Sequence, residues 1–520
     1  MSLARNVATV GSATLFSRLL GFARDMGVAA VFGAGIRADA FFVAFQLANL
    51  IRRMLAEGAL NAAVVPLYLR ARDDRGKAAA RLFAGQLIGT FAVALSGAVI
   101  IFAVAMPAIM LALEPGFVFG GERMTIAVEL ARLMLPYLAL AGPVAVLMGA
   151  LNANGRFAAA AYATTAFNAT MLAALLVVFV IHDGDSQLSG RIIAFSVAVA
   201  GVAQLTLVGV AAWRGPVRVT PLSVSFGPEV RRFLALAIPG LVASGIPQIT
   251  VIAGVMVASA SRGAVSWIYY ANRLIELPLG IVGIAVGTVL VPAFAHAIRG
   301  GDKRELAQVE SRGIELALGL ALPAALALTS LAEPIVRVLF ERGAFTAGDT
   351  AATAAALAAF ALGLPGHVLV KTFSPVFFAR EDTATPMRAA LFGFVIAILG
   401  SLALMPVLGH VGVAIAIAVS GWASAGLLGV LIARRIGFGI DAQARYRLPR
   451  IALSAAIMGL LVEAAHRVLQ PWLGAGAQGI VRAAVLAALI GFGLGAYIVL
   501  LRALKVTSPR DLMRAVGRGL

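Results

Sequence analysis

Arg18, Arg24, Arg52 and Arg273 stand well inside apolar stretches of a 520-residue chain. An arginine near the centre of a bilayer costs about 2.5–3.5 kcal/mol unless it meets a partner or water. Asp39, Arg53, Glu57 and Glu276 share those stretches, and spacing sorts paired charges from spare ones. Arg53 and Glu57 are related by i,i+4 and Arg273 and Glu276 by i,i+3, so each pair can neutralise itself on one helix face. Arg18 and Asp25, at i,i+7, lie on one stripe two turns apart. Arg24 and Arg52 have no acidic residue at i±3 or i±4. On an ideal helix Arg18 and Arg24 point about 120° apart, so both reach one cavity only if the helix bends. Gly21 between them permits that. A surplus of guanidinium at membrane depth suits an anionic ligand, because guanidinium grips phosphate oxygens in pairs.

The competing reading is that these charges knit helices together through buried ion pairs. It stands level with a cavity role for Asp39, Arg53, Glu57 and Glu276. For Arg18, Arg24, Arg52 and Arg273 the ligand role is favoured. Arg132, Arg337, Lys371 and Arg482 stand more alone and read as snorkelling side chains, although Lys371, beside Ser374 and Pro375, is within reach of a cavity.

The elements that must position these groups follow from composition. The chain is 61% hydrophobic and 13% charged, too apolar to cover itself as a soluble domain. Cysteine is absent, which excludes disulfides and thiolate metal sites. Five histidines are scattered without ligand spacing, no P-loop is present, and no metal or cofactor is expected. The N-terminal stretch does not read as a cleavable signal, since Arg18, Arg24 and Asp25 interrupt it.

Fourteen hydrophobic spans are expected, at about 6–31, 38–66, 83–113, 124–152, 160–181, 192–213, 233–257, 265–296, 313–340, 350–378, 389–408, 412–433, 451–465 and 480–501. Of the 42 Lys and Arg residues, 27 fall in one alternating set of loops and six in the other. The positive-inside rule makes the richer set cytoplasmic, which places both termini there. Its net charge of +18 is thus spent on topology, and no nucleic-acid partner is expected. Ala63-Val64-Val65-Pro66 and Val289-Leu290-Val291-Pro292 each close a span before a basic loop. They suggest a six-span repeat: two parallel lobes, 1–215 and 216–435, around a central cavity. The segment 436–520 then adds two spans and a basic tail. The fold class is all-α and polytopic.

The run Ser17-Arg18-Leu19-Leu20-Gly21-Phe22-Ala23-Arg24-Asp25, with Asp39-Ala40-Phe41-Phe42 and Asn49-Leu50-Ile51-Arg52-Arg53-Met54-Leu55-Ala56-Glu57-Gly58, resembles the N-terminal signature of the MurJ/MviN family. Val265-Ser266-Trp267-Ile268-Tyr269-Tyr270-Ala271-Asn272-Arg273-Leu274-Ile275-Glu276 resembles that family's eighth-helix motif. The family belongs to the multidrug/oligosaccharidyl-lipid/polysaccharide exporter superfamily. The resemblance implies a monomeric inner-membrane flippase, not an enzyme, for lipid II, the undecaprenyl-pyrophosphate-linked peptidoglycan precursor. It implies a role in cell-wall synthesis, with membrane lipids and the peptidoglycan machinery as partners. Arg18, Arg24, Arg52 and Arg273 match its cavity arginines, and Asp25, Asp39, Gln46, Arg53, Glu57, Asn272 and Glu276 its polar lining. The last two spans would form a groove for the lipid tail. Members often carry Lys in place of Gln46 and Asp in place of Asn272, and losing one charge of each sign suggests a missing ion pair.

The mechanism so implied is alternating access, driven by membrane potential or a coupled cation; one charge crossing is worth about 2.3 kcal/mol per 100 mV. A flippase for another polyprenyl-pyrophosphate-linked oligosaccharide would want the same cavity. A multidrug antiporter would instead show spare carboxylates, and a membrane enzyme clustered Asp or His at one interface.

Overall fold

The computed structural model describes residues 3–506 except 57–58, 182–183, 216, 218–221, 301–302, 381, 437–439 and 475–477. Among these residues there is no strand. Sixteen helices follow one another: α1 (Leu3–Phe32), α2 (Ile36–Ala56), α3 (Ala59–Leu113), α4 (Glu122–Met134), α5 (Pro136–Ala153), α6 (Phe157–Val180), α7 (Gln187–Trp213), α8 (Pro228–Ala258), α9 (Ala264–Gly300), α10 (Lys303–Ser330), α11 (Ala332–Phe340), α12 (Ala347–Phe378), α13 (Ala384–Leu408), α14 (His410–Ile436), α15 (Ala442–Leu473) and α16 (Gly479–Ala503). Nine stretches of the described residues are long and apolar enough, by length and composition, to cross a membrane. In lipid every backbone amide must be satisfied within the segment, which is why an apolar chain of this kind is helical throughout.

The expected spans fall on these helices, with three refinements. The second span divides between α2 and the start of α3, and α3 then runs on through the basic loop into the third span, broken at Gly76 (φ 85°, ψ 175°). That conformation is open to glycine and turns the chain back between two membrane passages. The fourth span is two helices, α4 and α5, parted at Leu135 because Pro136 opens α5 and has no amide proton to continue the ladder. The ninth is likewise two helices, α10 and α11, meeting at Leu331.

The chain divides into two compact units. One comprises the residues up to Ile252 together with Ser259–Ser266 and Arg342–Thr346; the other comprises Ala253–Ala258, Trp267–Glu341 and the chain from Ala347 onward. Within the first, α3 packs on α5, α1 on α6, α6 on α7 and α2 on α4. Within the second, α14 packs on both α12 and α13, and α10 on α12 and α15, while α15 carries α16. The segment Arg342–Thr346 is fastened to the first unit at the end of α1, where Ala344 donates its amide to the Ala30 carbonyl at 2.8 Å. Gly33 (φ 61°) and Gly343 (φ 59°) flank that contact, and a Cβ on either would come within 2.3 Å or 2.2 Å of a carbonyl oxygen. Only glycine fits both the left-handed backbone and the close approach.

Candidate functional site

The first unit gathers three arginines on α1 and α2. Arg24 is 6% exposed and holds Asp25 through Nη2 at 2.6 Å and Nε at 3.0 Å. Its Nη1 donates to Asn168 Oδ1 on α6 at 3.1 Å, and Asn168 in turn donates to the Ser17 carbonyl at 2.9 Å. The Arg24 guanidinium lies over the Phe45 ring, 4.9 Å from its centroid. Arg52 donates from Nε and Nη2 to Asn49 Oδ1 at 3.1 and 2.9 Å, and covers the Phe167 ring at 5.6 Å. Phe41 and Phe45 stack at 5.7 Å, and Phe45 meets Phe167 at 6.5 Å. Two guanidinium groups thus sit on one aromatic ladder, where cation–π attraction repays part of their dehydration. Arg18, on the same helix as Arg24, is exposed and makes no hydrogen bond or ion pair among the described residues.

These contacts alter the sorting by spacing. Arg24 has no carboxylate one turn away, yet its long side chain curls back to Asp25, its neighbour in sequence, a pairing that helical-face geometry discounts. The nearby amides, Asn49 and Asn168, were not singled out in the sequence, although Asn49 lies at i−3 from Arg52. Gln46 is half-buried on α2. The side chains of Arg53 and Glu57 lie outside the described residues.

Asp39 has a different station. It is fully buried and accepts from Gly263 N at 2.7 Å, Ser266 N at 3.0 Å and Ser266 Oγ at 2.6 Å. It therefore caps the first turn of α9 from another helix, satisfying amides that an N-terminus leaves open. Arg123 Nη1 stands 3.9 Å away and donates to the Ser259 carbonyl at 3.2 Å. Glu114, just past α3 in the loop to α4, is 1% exposed. Burial pushes its carboxyl well above the usual glutamate range; the Asp39 charge adds to that, and Ser259 and Arg123 oppose it.

In the second unit, Arg273 pairs with Glu276 at 2.9 Å, as their i,i+3 spacing predicts. Asn272 beside it is half-buried. Lys371 on α12 reaches α9, where Nζ donates to the Leu279 carbonyl at 3.4 Å. Arg337 and Arg482, expected to snorkel, are instead drawn into a network. Arg337 bonds Glu333 and, at 3.2 Å, Glu341, and Arg482 Nη1 stands 3.8 Å from Glu341. Glu341 also accepts from Thr350 at 2.8 Å. Arg337's carboxylates lie at i−4 and i+4, a spacing the sequence does show, whereas the approach of Arg482 on α16 to Glu341 is too distant along the chain for spacing to reveal.

Chemically, the first unit offers the guanidinium groups of Arg18, Arg24 and Arg52, of which Arg24 is held by Asp25. The second offers Arg273 already partnered. Neither arrangement contains a nucleophile paired with a base, and among the described residues no group of His, Cys, Asp and Glu is placed to hold a metal.

The family profile described as "Lipid II flippase MurJ" matches residues 28–476 of the chain. The chain is 40% identical over 521 residues to the "Probable lipid II flippase MurJ" of Rhizobium meliloti, covering 100% of this chain and 97% of that protein. It is 39% identical over 502 residues to the protein of the same description from Rhizobium tropici, covering 96% and 94%. In three dimensions it matches "Lipid II flippase MurJ, inward closed conformation" with a TM-score of 0.78 at 23% identity, over 97% of this chain and 99% of that one.

Proposed function

The chain belongs to the lipid II flippase MurJ family, and from that premise we propose that it carries lipid II from the cytoplasmic to the periplasmic leaflet of a bacterial inner membrane. The observation that supports the reading is the placing of Arg24 and Arg52 on one aromatic ladder, over Phe45 and Phe167, with Arg18 exposed on the same helix as Arg24. A pyrophosphate is the anion best suited to such a cluster, since each guanidinium can take two of its oxygens. The aromatic ladder under Arg24 and Arg52 limits their hydration, so their attraction for an anion is less screened than in water. Arg273, in the second unit, is the weaker candidate, because Glu276 already holds one of its nitrogens.

Transport is by alternating access. The cationic surface accepts the headgroup while the polyprenyl tail stays in lipid, and no covalent step is needed. Both termini are cytoplasmic, in line with the basic loops. With the inside negative, the potential pushes an anionic headgroup outward by about 2.3 kcal/mol per charge per 100 mV, and a returning cation could reset the carrier.

The test is exposure of labelled lipid II at the outer leaflet of cells depleted of their own flippase. The parent chain restores exposure, Arg18→Ala and Arg52→Ala abolish it, and Arg273→Ala reduces it. If the parent, well expressed and inserted, restores nothing, the substrate is another polyprenyl-pyrophosphate-linked oligosaccharide. If the arginine variants all work as well as the parent, the cationic cluster is not the binding surface.

A further inference from the structure

Arg132 lies outside the transport reading, and its surroundings point to a separate lipid site on the first unit. It sits on α4, exposed on the side where α4 meets α3. Pro107 within α3 has no amide proton, so the carbonyl four residues earlier, Ala103, lacks its helical donor. Arg132 Nε supplies that donor at 2.9 Å. This is the arginine's one contact among the described residues, and both Nη nitrogens remain without a protein partner.

Those nitrogens border a groove of about 490 Å³ between α3 and α4, running from Phe119 and Gly120 in the loop down to Leu133. From Glu122 to Leu133 the helix rises roughly 17 Å. The walls are mainly apolar, with Pro107, Met124, Val128 and Leu133 along the floor. Glu129 also borders it, but that carboxylate is engaged by Arg191 and accepts from Gln187 at 3.2 Å. Arg132, Arg191 and Glu129 together leave one net positive charge. A helical arginine directs its side chain back toward the N-terminus of its helix, so the guanidinium turns toward the loop end of the groove.

We propose that this groove binds an anionic glycerophospholipid, with the phosphate on the Arg132 Nη nitrogens and an acyl chain laid along Met124, Val128 and Leu133. The fit rests on two matched features: a cation with two donors to spare, and an apolar channel continuous with it. Free phosphate would satisfy the first feature only, and a zwitterionic lipid would bring a second charge that the net positive site repels. The occupant is a resident lipid, distinct from whatever the Arg18, Arg24 and Arg52 cluster carries.

The experiment is native mass spectrometry of the purified full chain with dioleoyl-phosphatidylglycerol, dioleoyl-phosphatidylcholine or inorganic phosphate, alongside thermal unfolding. Arg132→Gln is the informative variant. Its amide nitrogen stands the same number of bonds from Cα as Arg Nε, so the bond to Ala103 survives while the charge is lost. Phosphatidylglycerol should bind the parent, raise its Tm and dissociate about tenfold more readily from Arg132→Gln, a loss worth about 1.4 kcal/mol. Thr125→Trp, on an exposed position of the groove wall, should weaken it similarly with Arg132 untouched. Arg52→Ala should leave it unchanged. Equal phosphatidylglycerol binding by the parent and both groove variants, or equal binding of phosphatidylcholine and phosphate, would overturn the proposal and leave Arg132 as a brace for the Ala103 carbonyl.

Discussion

The two units hold their membrane-embedded guanidinium groups by different chemistry. In the first, Arg24 is held by Asp25 and also by an amide, Asn168, and Arg52 donates to the amide of Asn49. Amides fix a guanidinium in place without cancelling its charge. In the second, Arg273 meets Glu276, and Arg337 and Arg482 divide Glu333 and Glu341. There each cation finds a carboxylate, and the sum is close to zero. The amide-held set is suited to attract an anion, whereas the carboxylate-held set is suited to fasten helices. A buried pair contributes little net stability but becomes very costly when one partner is removed.

The largest effect expected from that contrast comes from Arg24. Arg24→Ala leaves Asp25 buried at 1% exposure without its guanidinium partner, which should destabilise the first unit by about 3–5 kcal/mol. Arg273→Ala breaks a same-helix pair that is 20% and 29% exposed and should cost only about 0.5 kcal/mol. Thermal unfolding in one detergent compares them directly. Equal losses would mean that the two units do not differ in how firmly they hold their cations.

A smaller effect, on transport rather than stability, follows from the amides. Asn49→Asp keeps the shape of the Arg52 contact but brings a negative charge to it, so lipid II exposure should fall about tenfold with stability changed by less than about 0.5 kcal/mol. Glu276→Gln makes the opposite exchange in the second unit and should leave exposure within about twofold. If the second variant were the more damaging, Arg273 rather than Arg52 would carry the headgroup.

Much of the fold was legible because hydropathy and basic loops write membrane passages directly into the sequence; the Arg273–Glu276 pair was legible because both partners share one helix face. The breaks at Leu135 and Leu331 left no gap in hydropathy, since a helix interrupted inside an apolar run stays apolar. The bond between Arg132 and the Ala103 carbonyl freed by Pro107 joins residues 29 positions apart, and no spacing rule spans that distance. Asp39 stood level between a cavity and a structural role in the sequence; the structure holds it by the backbone amides of Gly263 and Ser266 and by the Ser266 hydroxyl, partners too far along the chain for spacing to reveal.

The smallest predicted effect concerns the loop beside Asp39, where the first unit buries a carboxyl in place of a guanidinium. The Glu114 carboxyl is held well above its ordinary range by burial, with the nearby Asp39 charge working in the same direction. The unfolded chain therefore releases this proton at a lower pH than the folded one does. Between those two values the folded state binds more protons, so stability falls as pH rises through the window and is recovered as pH drops toward the ordinary glutamate value. Glu114→Gln keeps the shape and remains neutral, so its unfolding temperature should match that of the parent at acidic pH and exceed it at neutral pH. Gly116 keeps its own bond to Ser259 Oγ at 3.0 Å in either form, so the loop's anchor is not what the variant tests. Parallel pH profiles for parent and variant would mean that Glu114 is solvated when ionised and that burial does not hold its proton.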